Sequence, residues 1–192
     1  LVPDGGITLF SHRSARGDTR GSLVGPRADD LALAVMPGDR IWAIRFWPDS
    51  GGLVLGEDPE RLAGHFVQPL THPQWAVLLL RALADCRDAA SAAEVADRLL
   101  GDVIASASAP DAVARQAVQA LIATHGEIGI AEIAEGMGIS LRQLERRFSA
   151  AVGLDPIQFG RIRKMKGNLG PLLGNTPRTW NEVLPILLEA RP

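Results

Sequence analysis

The chain has 192 residues, 20 basic and 22 acidic side chains, 46% hydrophobic residues and one Cys. That length can bury one large core or two small ones, and a single Cys excludes a disulfide framework and Cys-rich zinc sites. No stretch approaches the roughly 18 uncharged apolar residues of a membrane span, and Leu1–Gly6 shows neither a basic start nor a small-residue cleavage site. The expectation is a soluble, cytoplasmic protein without a membrane partner.

In chain order, the first 70 residues read as strands and turns. Ile7–Phe10, Ser22–Gly25, Leu31–Met36, Arg40–Trp47 and Leu53–Leu55 are short apolar runs separated by Pro, Gly and Asp. Pro37-Gly38-Asp39 is a strong reversal, because Pro presets φ and Gly tolerates the positive φ of a tight turn. Arg40–Trp47 is apolar on both faces, which predicts a central or sandwiched strand. A small antiparallel barrel or sandwich is expected here. From Pro73 the pattern becomes helical: Trp75, Leu78, Leu79, Leu83 and Cys86 recur at helical spacing, as do Val95, Leu99 and Val103. Ser106–Pro110 interrupts it, and Asp111 is placed to cap a further helix through Ile122. The predicted organisation is a β domain over 1–70, connector helices over 71–110 and a helical module over 111–192. The fold class is therefore α+β.

Charge is distributed unevenly. Residues 1–110 carry a net −4 and 111–139 a net −3, while 140–168 carry seven basic against two acidic groups. A local positive field in an acidic chain points to a polyanionic partner for that segment. A solvated helix face is the ordinary reading of such a run, so the turn chemistry must decide.

That chemistry lies in Ile130–Val152, a short helix, a Gly-containing turn and a longer helix opened by Ser140. Ala134 is the small residue that two steeply crossing helices need at closest approach, and Gly138 stands where the turn wants positive φ. Ile133, Met137, Ile139 and Leu144 are predicted to fill the wedge. At 100° per residue, Leu141, Leu144, Phe148 and Ala151 fall on one side of the second helix and Arg142, Gln143, Arg146 and Ser149 on the other. Arg and Gln are the side chains whose paired donors and acceptors match guanine and adenine edges in the major groove. Double-stranded DNA is the predicted partner.

The string Ile130-Ala131-Glu132-Ile133-Ala134, Gly138-Ile139-Ser140, Leu144-Glu145-Arg146-Arg147-Phe148, Val152-Gly153-Leu154-Asp155-Pro156, Phe159 and Arg163 resembles the AraC/XylS family of transcription regulators. The resemblance implies a helix-turn-helix with a recognition helix from Ser140, and base-reading roles for Arg142, Gln143 and Arg146. Glu145 stands at a position that often faces DNA in the family, where a carboxylate can accept from a cytosine amino group. Arg147, Arg161 and Arg163 are implied to hold phosphates or to brace the linker helix, which sets register and salt dependence. The family carries two such units. Asn175–Val183 looks like the opening helix of the second, but Pro185 and the following residues lack its turn and recognition helix. The second unit is thus expected to be incomplete.

Pro3–Leu9, Val24-Gly25-Pro26 and Pro37–Pro48 resemble, less specifically, the small β domain of uncharacterised function that precedes the module in one branch of that family. It implies a sensor or dimerisation role, with a small-molecule effector or a homodimer as further partners. Trp42, Phe46 and Trp47 could line an apolar ligand pocket, though aromatic residues on strands commonly form plain core. His12, His65, His72 and His125 are too dispersed for a metal site, no cofactor is indicated, and Cys86 reads as a buried structural thiol. No enzymatic constellation is evident. The alternative to a DNA reader is a truncated regulator acting as a dimerisation, protein-interaction or small-molecule-binding module.

Overall fold

Ser14 and Asp18 close the first hairpin, with the Ser14 N–H donating to the Asp18 carbonyl at 2.8 Å. The turn joins β1 (Thr8–Arg13) to β2 (Thr19–Val24) in antiparallel register, Thr8 opposite Val24 and Arg13 opposite Thr19. A computed structural model describes residues 4–173, with side chains through Gly167. The second-unit residues Asn175–Val183 and Pro185 lie outside the described residues. β3 (Arg40–Arg45) adds to the free side of β1, and the two-residue β4 (Phe66–Val67) to β2. The resulting order is β3-β1-β2-β4. Together with eight helices among the described residues, this makes a mixed α+β protein.

The sheet corrects three expectations. It is a single open sheet among the described residues, so the expected barrel or sandwich does not form. Instead a helix, α3 (Gln74–Asp85), packs across β1, β2 and β3 and does the covering that a second sheet would have done. The central strand is β1, whose Thr8–Ser11 are all buried, whereas β3 lies at the edge with Ala43 exposed. Finally, Leu31–Met36 forms no strand and exposes Val35 and Met36, while Leu53–Leu55 belongs to a short helix, α1 (Gly51–Leu55). Both inner strands already have neighbours on each side, which leaves 31–36 no inner position to pair into.

Leu79, Leu80 and Leu83 of α3 meet Ile7, Leu9 and Leu23 in the first core, and the Ser11 hydroxyl donates to the Leu80 carbonyl at 2.6 Å. α2 (Pro59–Leu62) starts with Pro and is capped by the Asp58 carboxylate on the Glu60 N–H. α4 (Ala89–Ser106), capped by Asp88, lays Ala92 and Leu100 against the same core. A second core follows from α5 (Ala112–Ala123), α6 (Ile130–Gly136), α7 (Leu141–Val152) and α8 (Pro156–Leu173). At its centre Leu121, Leu144, Phe148, Val152 and Phe159 are fully buried, and the two Phe rings meet edge-to-face at 5.5 Å. Fully burying such a side chain contributes about 1.5–3 kcal/mol.

The two cores meet along a seam. Gly153 ends α7 with φ +81°, and a Cβ there would lie 2.3 Å from the Pro59 carbonyl oxygen. Only glycine permits both the left-handed turn and the close approach of α2 to α7. Across the same seam Arg115 of α5 donates from Nε to the fully buried Asp49 carboxylate at 3.0 Å.

Candidate nucleic-acid interface

The turn between α6 and α7 is held by backbone geometry. Gly138 takes φ +66° and its N–H donates to the Glu135 carbonyl, while the Ile139 N–H donates to Ala134. Ala134 is buried at the crossing, beside Ile133 and Leu144. Ser140 then caps α7, its hydroxyl accepting from the Gln143 N–H at 3.2 Å. The wedge residues Met137 and Ile139 are partly buried against this core.

The two faces of α7 separate except at Leu141, which the spacing placed on the inner side and the structure leaves 42% exposed at the start of the helix. Leu144, Phe148 and Val152 face inward, and Arg142, Gln143 and Arg146 are exposed. Among the described residues none of these three side chains takes part in an ion pair. The buried stripe fixes the helix rotation, so the polar face is presented rigidly rather than on a loop. Arg146 also borders an open cleft of about 690 Å³. Asp49 and Glu57 from the N-terminal half line it as well, together with Asp111 and Arg147.

The remaining expected contacts divide. Glu145 is half-buried and shares a shallow cleft with Asp155, Gln158 and Arg161, whose own side chain is exposed. Arg147 is turned away from the polar face and bonds Asp111 through Nε and Nη2, at 2.9 and 2.7 Å. Burial works to raise the Asp111 carboxyl, but the Arg147 hydrogen bond and the Ala114 N–H outweigh it and hold the group below its ordinary value. Arg163 points into the seam near Asp4, and burial lowers its pKa. Neither Arg147 nor Arg163 shares the exposed face of Arg142 and Arg146.

The aromatic trio is divided between the core and the surface. Phe46 is core, Trp42 packs half-buried against that core with its indole N–H unpartnered, and Trp47 is half exposed. Among the described residues no group of three His, Cys, Asp or Glu side chains is disposed to hold a metal ion, and no helix is long and apolar enough to cross a membrane.

No protein-family model, curated protein or solved structure matches the chain significantly.

The site must therefore be read from its own geometry. Sequence reasoning missed the groups that join it to the rest of the molecule: Asp49 with Arg115, and Asp4 with Arg45 and Lys166. Asp49 and Arg115 are 66 positions apart, and no local pattern pairs residues at that distance. The available signal was weaker: a lone Asp in an apolar context, as at Asp49 after Trp47-Pro48, needs a partner somewhere.

Proposed function

We propose that the chain is a sequence-reading, DNA-binding transcription regulator of AraC/XylS type, acting in the cytoplasm without a cofactor. α6, the Gly138 turn and α7 serve as its helix-turn-helix, within an all-helical C-terminal domain. One observation carries the reading. A capped helix, rotationally locked by Leu144, Phe148 and Val152, exposes Arg142, Gln143 and Arg146 along one face that makes no ion pair among the described residues. In a major groove the two Arg forks match guanine O6 and N7, and the Gln143 amide matches adenine N6 and N7. Glu145 accepts from cytosine, and the first-turn N–H groups beside Ser140 receive a phosphate. Arg161 adds a phosphate contact that sets register without reading sequence. Arg147 acts by bracing α5 against α7 through Asp111. The N-terminal sheet unit, pressed on α7 through α2, is the regulatory part, through which an effector or a second copy biases DNA affinity.

Fluorescence anisotropy with labelled duplexes from the protein's own promoter region tests this. Arg142→Ala and Arg146→Ala should each weaken binding to the preferred duplex by about 1–3 kcal/mol and narrow the gap to unrelated duplexes. Arg161→Ala should weaken every duplex alike and lower the salt slope by about one. Equally weak binding to all duplexes, indifferent to all three changes, would remove the DNA-reading role.

A further inference from the structure

Where the N-terminal segment crosses α8, one carboxylate faces three cations. Phe159 sets the geometry. Its ring lies against Gly5, whose added Cβ would come within 2.5 Å of it, so positions four and seven residues later return to the same face of α8. Those positions are Arg163 and Lys166. Asp4 bonds an Arg45 Nη at 2.7 Å and lies 3.9 Å from Lys166 Nζ, beyond hydrogen-bonding reach. Its other oxygen accepts from the Gly6 N–H. Arg163 also feels the Asp4 charge, yet its Nε is sealed from solvent and has no acceptor among the described residues.

Other cross-element pairs in the structure are matched one to one: Arg115 with Asp49, Arg147 with Asp111, Lys164 with Glu127, and Arg13 with Asp85. Here, among the described residues, two positive charges are left over. Burial lowers the pKa of both Arg163 and Lys166 in spite of Asp4, and for Lys166 the neighbouring Arg45 and Arg163 push the same way. Excess desolvated cations are costly unless an anion answers them.

We propose that Arg45, Arg163 and Lys166 form a binding site for a small oxyanion, the phosphate or carboxylate group of a free metabolite-sized ligand, in the seam between the N-terminal sheet unit and α8. Arg45 is 46% exposed and Lys166 28%, which gives the ligand a way in from solvent. The Arg guanidinium groups supply forked donors and Lys166 a mobile point charge, the usual pairing for such groups. Because these cations lie on the face that α8 turns toward the protein's own N-terminal segment, a free ligand fits better than a duplex backbone. Its binding would tie β3 and α8 together and hold the two halves of the molecule in one arrangement.

The test is calorimetric titration of the whole chain with inorganic phosphate, against sodium chloride of matched ionic strength. Saturable uptake of about one equivalent is expected, weakened about tenfold or more by Arg163→Met or Lys166→Met and unchanged by Arg16→Met at an exposed site. Asp4→Asn removes the competing carboxylate and should tighten phosphate binding, a gain that misfolding cannot imitate. Absence of saturable heat, an equal response to chloride, or no tightening in Asp4→Asn would each overturn the proposal. Displacement of the phosphate by a short duplex would assign the site to the DNA backbone and overturn it as well.

Discussion

Asp111 stands where two helices begin to depend on each other: its carboxylate caps α5 through the Ala114 N–H and receives the Arg147 guanidinium from α7. Asn is as good an N-cap as Asp, so Asp111→Asn keeps the cap and removes only the charge pairing. The Asp111 pKa is depressed in the folded state. A depressed carboxylate adds stability above its unfolded-state pKa, and that stability is lost as pH falls through the folded-state value. Wild type should therefore exceed Asp111→Asn in urea midpoint at neutral pH, with the difference closing below about pH 4. A midpoint gap that stayed constant down to low pH would show that the ion pair contributes nothing. The Asp49–Arg115 pair has a different character, since the Asp49 side chain is wholly buried. Arg115→Met leaves that carboxylate, among the described residues, with only the Ser50 hydroxyl, and should cost about 1.5–3 kcal/mol by chemical denaturation.

Among the elements, α7 links the core to the exposed polar face. Its inner stripe and its outer face come from one 3.6-residue period, so whatever rotates the stripe also re-aims Arg142 and Arg146. Phe148→Ala should lower stability by about 3–5 kcal/mol, because the ring is fully buried and stacked edge-on to Phe159. Gly153→Ala should cost at least about 1–2 kcal/mol from the left-handed backbone alone, with more from the clash against Pro59. These helices were legible because capping and periodicity are local. Ser140, Asp111 and Asp88 each accept a backbone N–H of the first turn, as short-range chemistry dictates. The strands were less legible. Arg40–Trp47 is rich enough in apolar residues to sit at a sheet centre, yet the β1–β2 hairpin forms the middle and leaves β3 only an edge. Leu53–Leu55 is too short for its composition to choose between strand and helix; Gly51 and Gly52 let a helical turn pack tightly on Ile7 and Pro59.

For the molecule as a whole, one hydrophobic core is built from residues 7–100 and another from 117–162, and the contacts between them are intimate. α2 lies on α7, Gly5 on Phe159, and Asp49 on Arg115. Such a seam should make unfolding a single cooperative event. Trp42, Trp47 and Trp75 belong to the N-terminal half and Trp180 does not, so in a Trp180→Phe background the fluorescence reports that half. Phe148→Ala, in the other core, should move the Trp-detected midpoint by as much as the midpoint seen by far-ultraviolet circular dichroism. Two separated midpoints would mean that the halves fold independently.

The amino-acid sequence by itself determined the mixed α+β character, the helices between Gln74 and Val152, the Gly138 turn and the polar face of α7, because each depends on residues within a turn or two of one another. The tertiary structure alone decided that the sheet is open and backed by α3, that Arg147 and Arg163 turn inward, that the aromatic trio does not converge, and that Asp4 gathers three cations. Those outcomes depend on which distant surfaces meet. Burial and charge pairing across tens of residues leave no periodic trace along the chain.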